Sequence, residues 1–169
     1  MTRHLLILAA ALLPVAASAS QQAGPTAQPA EWSFRTVEGQ RTLRGATAQD
    51  PGDRIILMCN NDRRLVAMLF RLHDDPQAVA QGVTSGSWLI DGAAQPSMDP
   101  RPIIPAGPHI ISLGFVDAEL YRRLMEARGA GFAWSDAGGN RLGAYQIEVA
   151  SGRALLAEFG RACNAEAYP

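Results

Sequence analysis

Arg54-Ile55-Ile56-Leu57-Met58-Cys59, then Asn60-Asn61-Asp62, then Leu65-Val66-Ala67-Met68-Leu69-Phe70-Arg71-Leu72: this stretch decides the fold class. Two short apolar runs around an Asn/Asp cluster have the pattern of an antiparallel hairpin. Leu, Ala and Met in the second run would also suit a helix. The run is short and a turn precedes it, which favours a strand. Asp50-Pro51-Gly52-Asp53, just upstream, has the backbone preferences of another turn.

Outward from this hairpin the same alternation recurs. Trp32, Phe34 and Thr36 alternate with Ser33 and Arg35, an opening strand closed by a turn at Gly39. Ser87-Trp88-Leu89-Ile90 ends at Asp91-Gly92. His109-Ile110-Ile111-Ser112-Leu113-Gly114-Phe115 is a further strand. Gly131 to Trp134 and Arg141 to Ala150 flank Asp136-Ala137-Gly138-Gly139-Asn140, a second hairpin signal. Tyr145, Ile147 and Val149 point one way from it; Ala144, Gln146 and Glu148 point the other. Between Ala93 and Pro108 five prolines interrupt the chain, which predicts a long surface loop, because proline cannot donate to a sheet ladder.

Two segments change period. Asp117 is placed to cap a helix from Ala118 to Ala127, with Leu120 and Leu124 on its buried face and Gly129 as a stop. Arg122, Arg123 and Glu126 take the solvent side. Ser151 is placed to cap a last helix, Arg153 to Cys163, where Leu155, Phe159 and Cys163 form one stripe. The expectation is one α+β domain over residues 31–169: a mostly antiparallel sheet of about six to seven strands, two helices and one disulfide.

The disulfide follows from the N-terminus. Thr2-Arg3-His4, the apolar run Leu5 to Val15, and Ala17-Ser18-Ala19 read as a signal peptide over residues 1–19, with cleavage before Ser20 at the Ala17/Ala19 positions. A run of about eleven apolar residues is too short for a span, which needs ~20. Residues 20–30 hold no hydrophobe larger than alanine and read as a flexible leader. The expected location is periplasmic or secreted, with no integral membrane segment in the mature chain. In such a compartment Cys59 and Cys163, the two cysteines of the chain, are expected to pair.

Chemistry is sparsely marked. The 15 basic residues are all arginine and face 16 acidic ones, so no electrostatic footprint for nucleic acid exists. His73, Asp74, Asp75 and His109 are the residues a metal-dependent hydrolase could use, although their spacing matches no metal motif. Thr84-Ser85-Gly86-Ser87 lacks the flanking glycines of a nucleophile elbow. Gly138-Gly139 precedes a strand rather than a helix, so it is no phosphate cradle. Trp88 and Trp134 suit core positions. No cofactor is expected.

The run from Leu142 to Gly152, with Ala154-Leu155 and Phe159-Gly160-Arg161-Ala162-Cys163 after it, resembles the ending of small periplasmic proteins of the type VI secretion-associated VasI type and, more loosely, of the invasion-associated locus B type. The resemblance covers the last third of the chain plus Cys59. It implies an exported, non-enzymatic protein whose partner is an envelope or secretion-system protein. A hydrolase using the histidine cluster and a small-ligand-binding domain remain the alternatives.

Overall fold

The computed structural model describes residues 25–48, 52–59, 65–82, 85–95 and 103–165. Signal positions Ala17, Ala19 and Ser20, the Asn60–Asp62 turn and part of the proline-rich stretch lie outside them. The strands are β1 (Ala30–Val37), β2 (Gln40–Thr47), β3 (Arg54–Cys59), β4 (Leu65–Leu72), β5 (Ser85–Ile90), β6 (Ala93–Ala94), β7 (Ile103–Ala106), β8 (His109–Phe115), β9 (Gly129–Ser135) and β10 (Arg141–Glu148). The helices are α1 (Pro76–Gly82), α2 (Ala118–Glu126) and α3 (Arg153–Cys163), the last preceded by a single 3-10 turn, Ala150–Gly152.

The fold is α+β and antiparallel, as expected, but the strands sort into two sheets instead of one. The first runs β1-β2-β3-β4-β8-β7 and the second β10-β9-β5-β6. The central hairpin forms with Cys59 opposite Leu65 and Arg54 opposite Phe70. Strand β4 then pairs with β8, more than thirty residues on, while β5 leaves to pair with β9. Alternation marks each strand but carries no signal for a partner that distant.

Turn chemistry explains the tight hairpins. Glu38 and Gly39 both have positive φ (49° and 81°), as do Asp91 and Gly92 (49° and 84°). Two consecutive left-handed residues make the two-residue turn whose twist matches flanking strands, and Asp-Gly is among its best sequences. At the β9–β10 turn, Asp136 Oδ1 accepts from Gly138 N and Asn140 N at 2.9 and 2.8 Å.

Several local expectations are corrected. The proline-rich stretch carries two short strands, β6 and β7, each at a sheet edge. Pro105 is tolerated there because an edge strand has one side with no ladder to donate to. A third helix, α1, adds to the two expected: Asp75 Oδ1 accepts from Ala78 N at 3.0 Å and Pro76 occupies the first helical position, where its missing N–H costs nothing. Asp117 caps α2 as expected, accepting from Leu120 N at 2.7 Å. That helix stops at Ala127, however, and Gly129 opens β9. Ser151 does not cap α3; its Oγ donates to Ala30 O. Gln28, in the stretch expected as leader, bridges β10, donating its N–H to Gln146 O at 3.0 Å.

One core joins the two sheets and α3. Leu43, Ile55, Leu57, Ala67 and Leu69 face inward from the first sheet; Trp88, Phe132, Tyr145 and Ile147 face inward from the second. Helix α3 covers the β1–β2 end of the inner face, burying Leu156, Phe159 and Cys163, with Leu155 half-buried beside them. Phe159 meets Phe34 edge-on, ring centroids 5.9 Å apart. Gly160 lets α2 approach: a Cβ there would lie 1.9 Å from the Tyr121 hydroxyl, which instead donates to Leu156 O at 2.6 Å. Asn164 ends the helix in the left-handed conformation (φ 54°) that asparagine tolerates.

Cys59 and Cys163 are bridged, their Cα atoms 6.0 Å apart and 104 residues apart in sequence. Closing so long a loop removes denatured-state entropy worth ~4–5 kcal/mol in the chain-entropy model. Reducing the protein is therefore expected to lower its melting temperature by many degrees; equal melting with and without reductant would deny the bridge a stabilising role. Phe159→Ala is expected to cost about 3–5 kcal/mol in urea unfolding, because the void it leaves lies in the closed core.

Candidate binding face

Inward packing leaves the other face of the six-stranded sheet with its own side chains. Strand registers place them in columns. Ile56 and Met58 come from β3, Val66, Met68, Phe70 and Leu72 from β4, Ile111, Leu113 and Phe115 from β8, and Ile104 from β7. Ile56 lies opposite Met68, which lies opposite Leu113, so the apolar columns are continuous across three strands. None of these ten residues is buried. Phe115 is 59% exposed, Ile104 42%, Leu72 37% and Leu113 36%, a concentration of apolar surface that singly scattered hydrophobes do not produce.

The β1–β2 part of the same face is mostly polar, with Val37 exposed at its turn end. Ser33 lies opposite Arg44, and Arg35 opposite Thr42. Arg35 and Arg44 are exposed and make no ion pair among the described residues; Glu31 is the one acid at the described strand positions of this half, and Glu38 sits in the β1–β2 turn.

At one corner of the face a group of polar residues is held in place. Arg54 lies over the Phe70 ring, 5.1 Å from its centroid, and its Nη2 donates to His109 Nε2 at 2.9 Å. Because arginine can only donate, that ring nitrogen is the acceptor and the imidazole proton sits on Nδ1. His109 also stands edge-on to Phe70, centroids 6.0 Å apart. Arg54 Nε is buried and has no hydrogen-bond partner among the described residues. Behind this layer, buried Asp53 pairs with Arg71 and accepts from Leu72 N at 3.3 Å. The guanidinium of Arg71 lies 5.9 Å from the Tyr145 ring, and the Tyr145 hydroxyl donates to Arg54 O at 3.2 Å.

The electrostatics follow burial. Desolvation pushes the Asp53 carboxyl above its ordinary value, outweighing the attraction of Arg71. Burial, with the Arg54 charge beside it, holds His109 below the ordinary 6.5, against a smaller opposing pull from Asp53. Tyr145 is raised well above the ordinary phenol range, first by burial and then by Asp53. The cluster contains one buried carboxylate already paired, and no nucleophile stands beside a base.

The four residues singled out for metal chemistry do not converge. His109 is engaged by Arg54, His73 Nδ1 accepts from Asp75 N at 3.1 Å, and Asp75 caps α1. Among the described residues no group of three or more His, Cys, Asp or Glu is arranged to hold a metal ion. Trp88 and Trp134 are buried in the core. For a small ligand the structure offers shallow surface concavities, such as one of about 640 Å³ lined by Ser87, Ala94, Ala133, Ser135, Gly139, Asn140 and Arg141 on the second sheet. Asp53, Arg54 and Arg71 were not marked by sequence reasoning. Arg54 and Arg71 sit at ends of apolar runs, where a charge reads as a solvated strand end.

Comparison with protein-family models, with curated proteins and with solved structures found no match for this chain.

The depressed His109 titration has a sign. A group that binds its proton less readily when folded stabilises fully above the unfolded value of 6.5, and that contribution is lost as pH falls from 6.5 through the lowered folded value. Urea unfolding is thus expected to give lower stability at pH 5.5 than at pH 7.5. His109→Gln, which keeps an acceptor for Arg54 without the titration, is expected to show a smaller difference. An equal difference in both proteins would remove His109 from the account.

Proposed function

We propose that this protein is exported and works by protein–protein contact, as an accessory to envelope or secretion machinery, with the outer face of the six-stranded sheet as its contact surface. The observation that carries the reading is the continuous apolar area of β3, β4 and β8, which the protein's own core does not use. A stable fold gains nothing from placing Met68, Ile111 and Leu113 outward, whereas a surface that meets another protein gains from each of them.

Three further observations support it. The N-terminal 19 residues have the pattern of a signal peptide. A disulfide suits an oxidising compartment. No helix among the described residues is long and apolar enough to cross a membrane. The resemblance of residues 142–163 to exported secretion accessories points the same way.

Met68→Glu tests the reading, since Met68 is half-buried at the centre of the face and outside the core. Crosslinking in the periplasm of the producing cell is expected to trap a discrete partner with the wild type, and at least tenfold less of it with Met68→Glu, while melting temperature stays within a few degrees. Equal trapping by both proteins, or none by the wild type, would overturn the proposal.

A further inference from the structure

Resting on that reading, we infer that the partner presents an amphipathic helix whose apolar stripe is flanked by carboxylates, laid along the strands with its acidic side over Arg35 and Arg44. The shape and the charge of the face each argue for this occupant.

Shape comes first. The apolar columns span four neighbouring strands, β3-β4-β8-β7. At ~4.8 Å between strands and about 3.3 Å per residue, they occupy an area roughly 20 Å on a side. That is the length of a helix of about 14 residues, at 1.5 Å per residue, with width for its ~10 Å cylinder.

Charge then selects the sign. Among the described strand positions the face carries Arg35, Arg44 and Arg54 against one acid, Glu31, with Glu38 in the turn at its edge. Arg54 is committed to His109 and Phe70. Arg44 lies opposite Ile56 at the margin of the apolar columns and Arg35 one strand further out; both are exposed and make no ion pair among the described residues. Rim charges of one sign steer a partner of the opposite sign and set its orientation. A second copy would bring arginines of its own and one acid. An anionic membrane would satisfy the charge, but proteins at a membrane interface anchor with Trp and Tyr. Among the described residues Trp32, Trp88, Trp134, Tyr121 and Tyr145 all pack into or against the core.

The probes are two 18-residue helix-forming peptides with the same leucine stripe, one flanked by glutamates and one by lysines, together with phosphatidylglycerol vesicles. The mature, oxidised protein is titrated with each. The glutamate peptide is expected to bind saturably, at least tenfold tighter than the lysine peptide, and to lose at least tenfold in affinity both to Arg35→Glu/Arg44→Glu and to 0.5 M salt. Met68→Glu is expected to abolish binding. Equal binding of both peptides would overturn the acidic partner while leaving the apolar contact face standing. Binding to the vesicles but to neither peptide would replace the helix by a membrane. A dimer in sedimentation that Met68→Glu disperses would replace it by a second copy. No binding of any probe would overturn the inference, and the periplasmic crosslink would then judge the contact face by itself.

Discussion

The placement of α3 across the inner face of β1 and β2 is the constraint on which the rest of the molecule depends. Phe159 fills the space against Phe34, and Cys163 is bonded to Cys59 at the end of β3. The bridge joins the last helix to the central hairpin, so the first sheet cannot shed its cover without opening the loop between them. With one end of the inner face closed by α3 and the rest by the second sheet, every inward position of β2, β3 and β4 has a use. Leu43, Ile55, Leu57, Ala67 and Leu69 are all essentially inaccessible.

The outer face gains its meaning from that arrangement. A strand buries one set of alternate residues and shows the other, and an antiparallel sheet wetted on one side ordinarily carries polar residues there. Strands β1 and β2 follow the rule with Ser33, Arg35, Thr42 and Arg44. Strands β3, β4 and β8 break it, with apolar residues on both sides. Runs of this kind belong to strands covered twice. The protein itself supplies one cover, and the other is the contact proposed above.

The corner at Arg54 shows how the face is kept in register at its end. A cation over an aromatic ring, a neutral imidazole accepting from it, and a buried Asp53–Arg71 pair behind them link β3, β4 and β8 to Tyr145 of the second sheet. Asp53 and Arg71 both belong to the first sheet; the link to the second is Tyr145, whose ring lies 5.9 Å from the Arg71 guanidinium and whose hydroxyl donates to Arg54 O.

Much of the local structure was legible in the chain. The central hairpin, the Asp91-Gly92 and Asp136–Asn140 turns, the Asp117 cap and the extent of α3 each rest on interactions within a few residues, where residue type dictates backbone geometry. The Asp75-Pro76 start of α1 was equally local, but it was masked by the apparent metal-ligating character of His73-Asp74-Asp75. The disulfide was expected from two cysteines behind an N-terminus with the pattern of a signal peptide, since a single pair leaves one pairing to make. Only the tertiary structure decided that the strands form two sheets, that Arg54 meets His109, and that the second apolar side of β3, β4 and β8 faces outward. Those outcomes turn on which distant strands pair and which face α3 covers, and alternation along a strand is the same whichever side is buried.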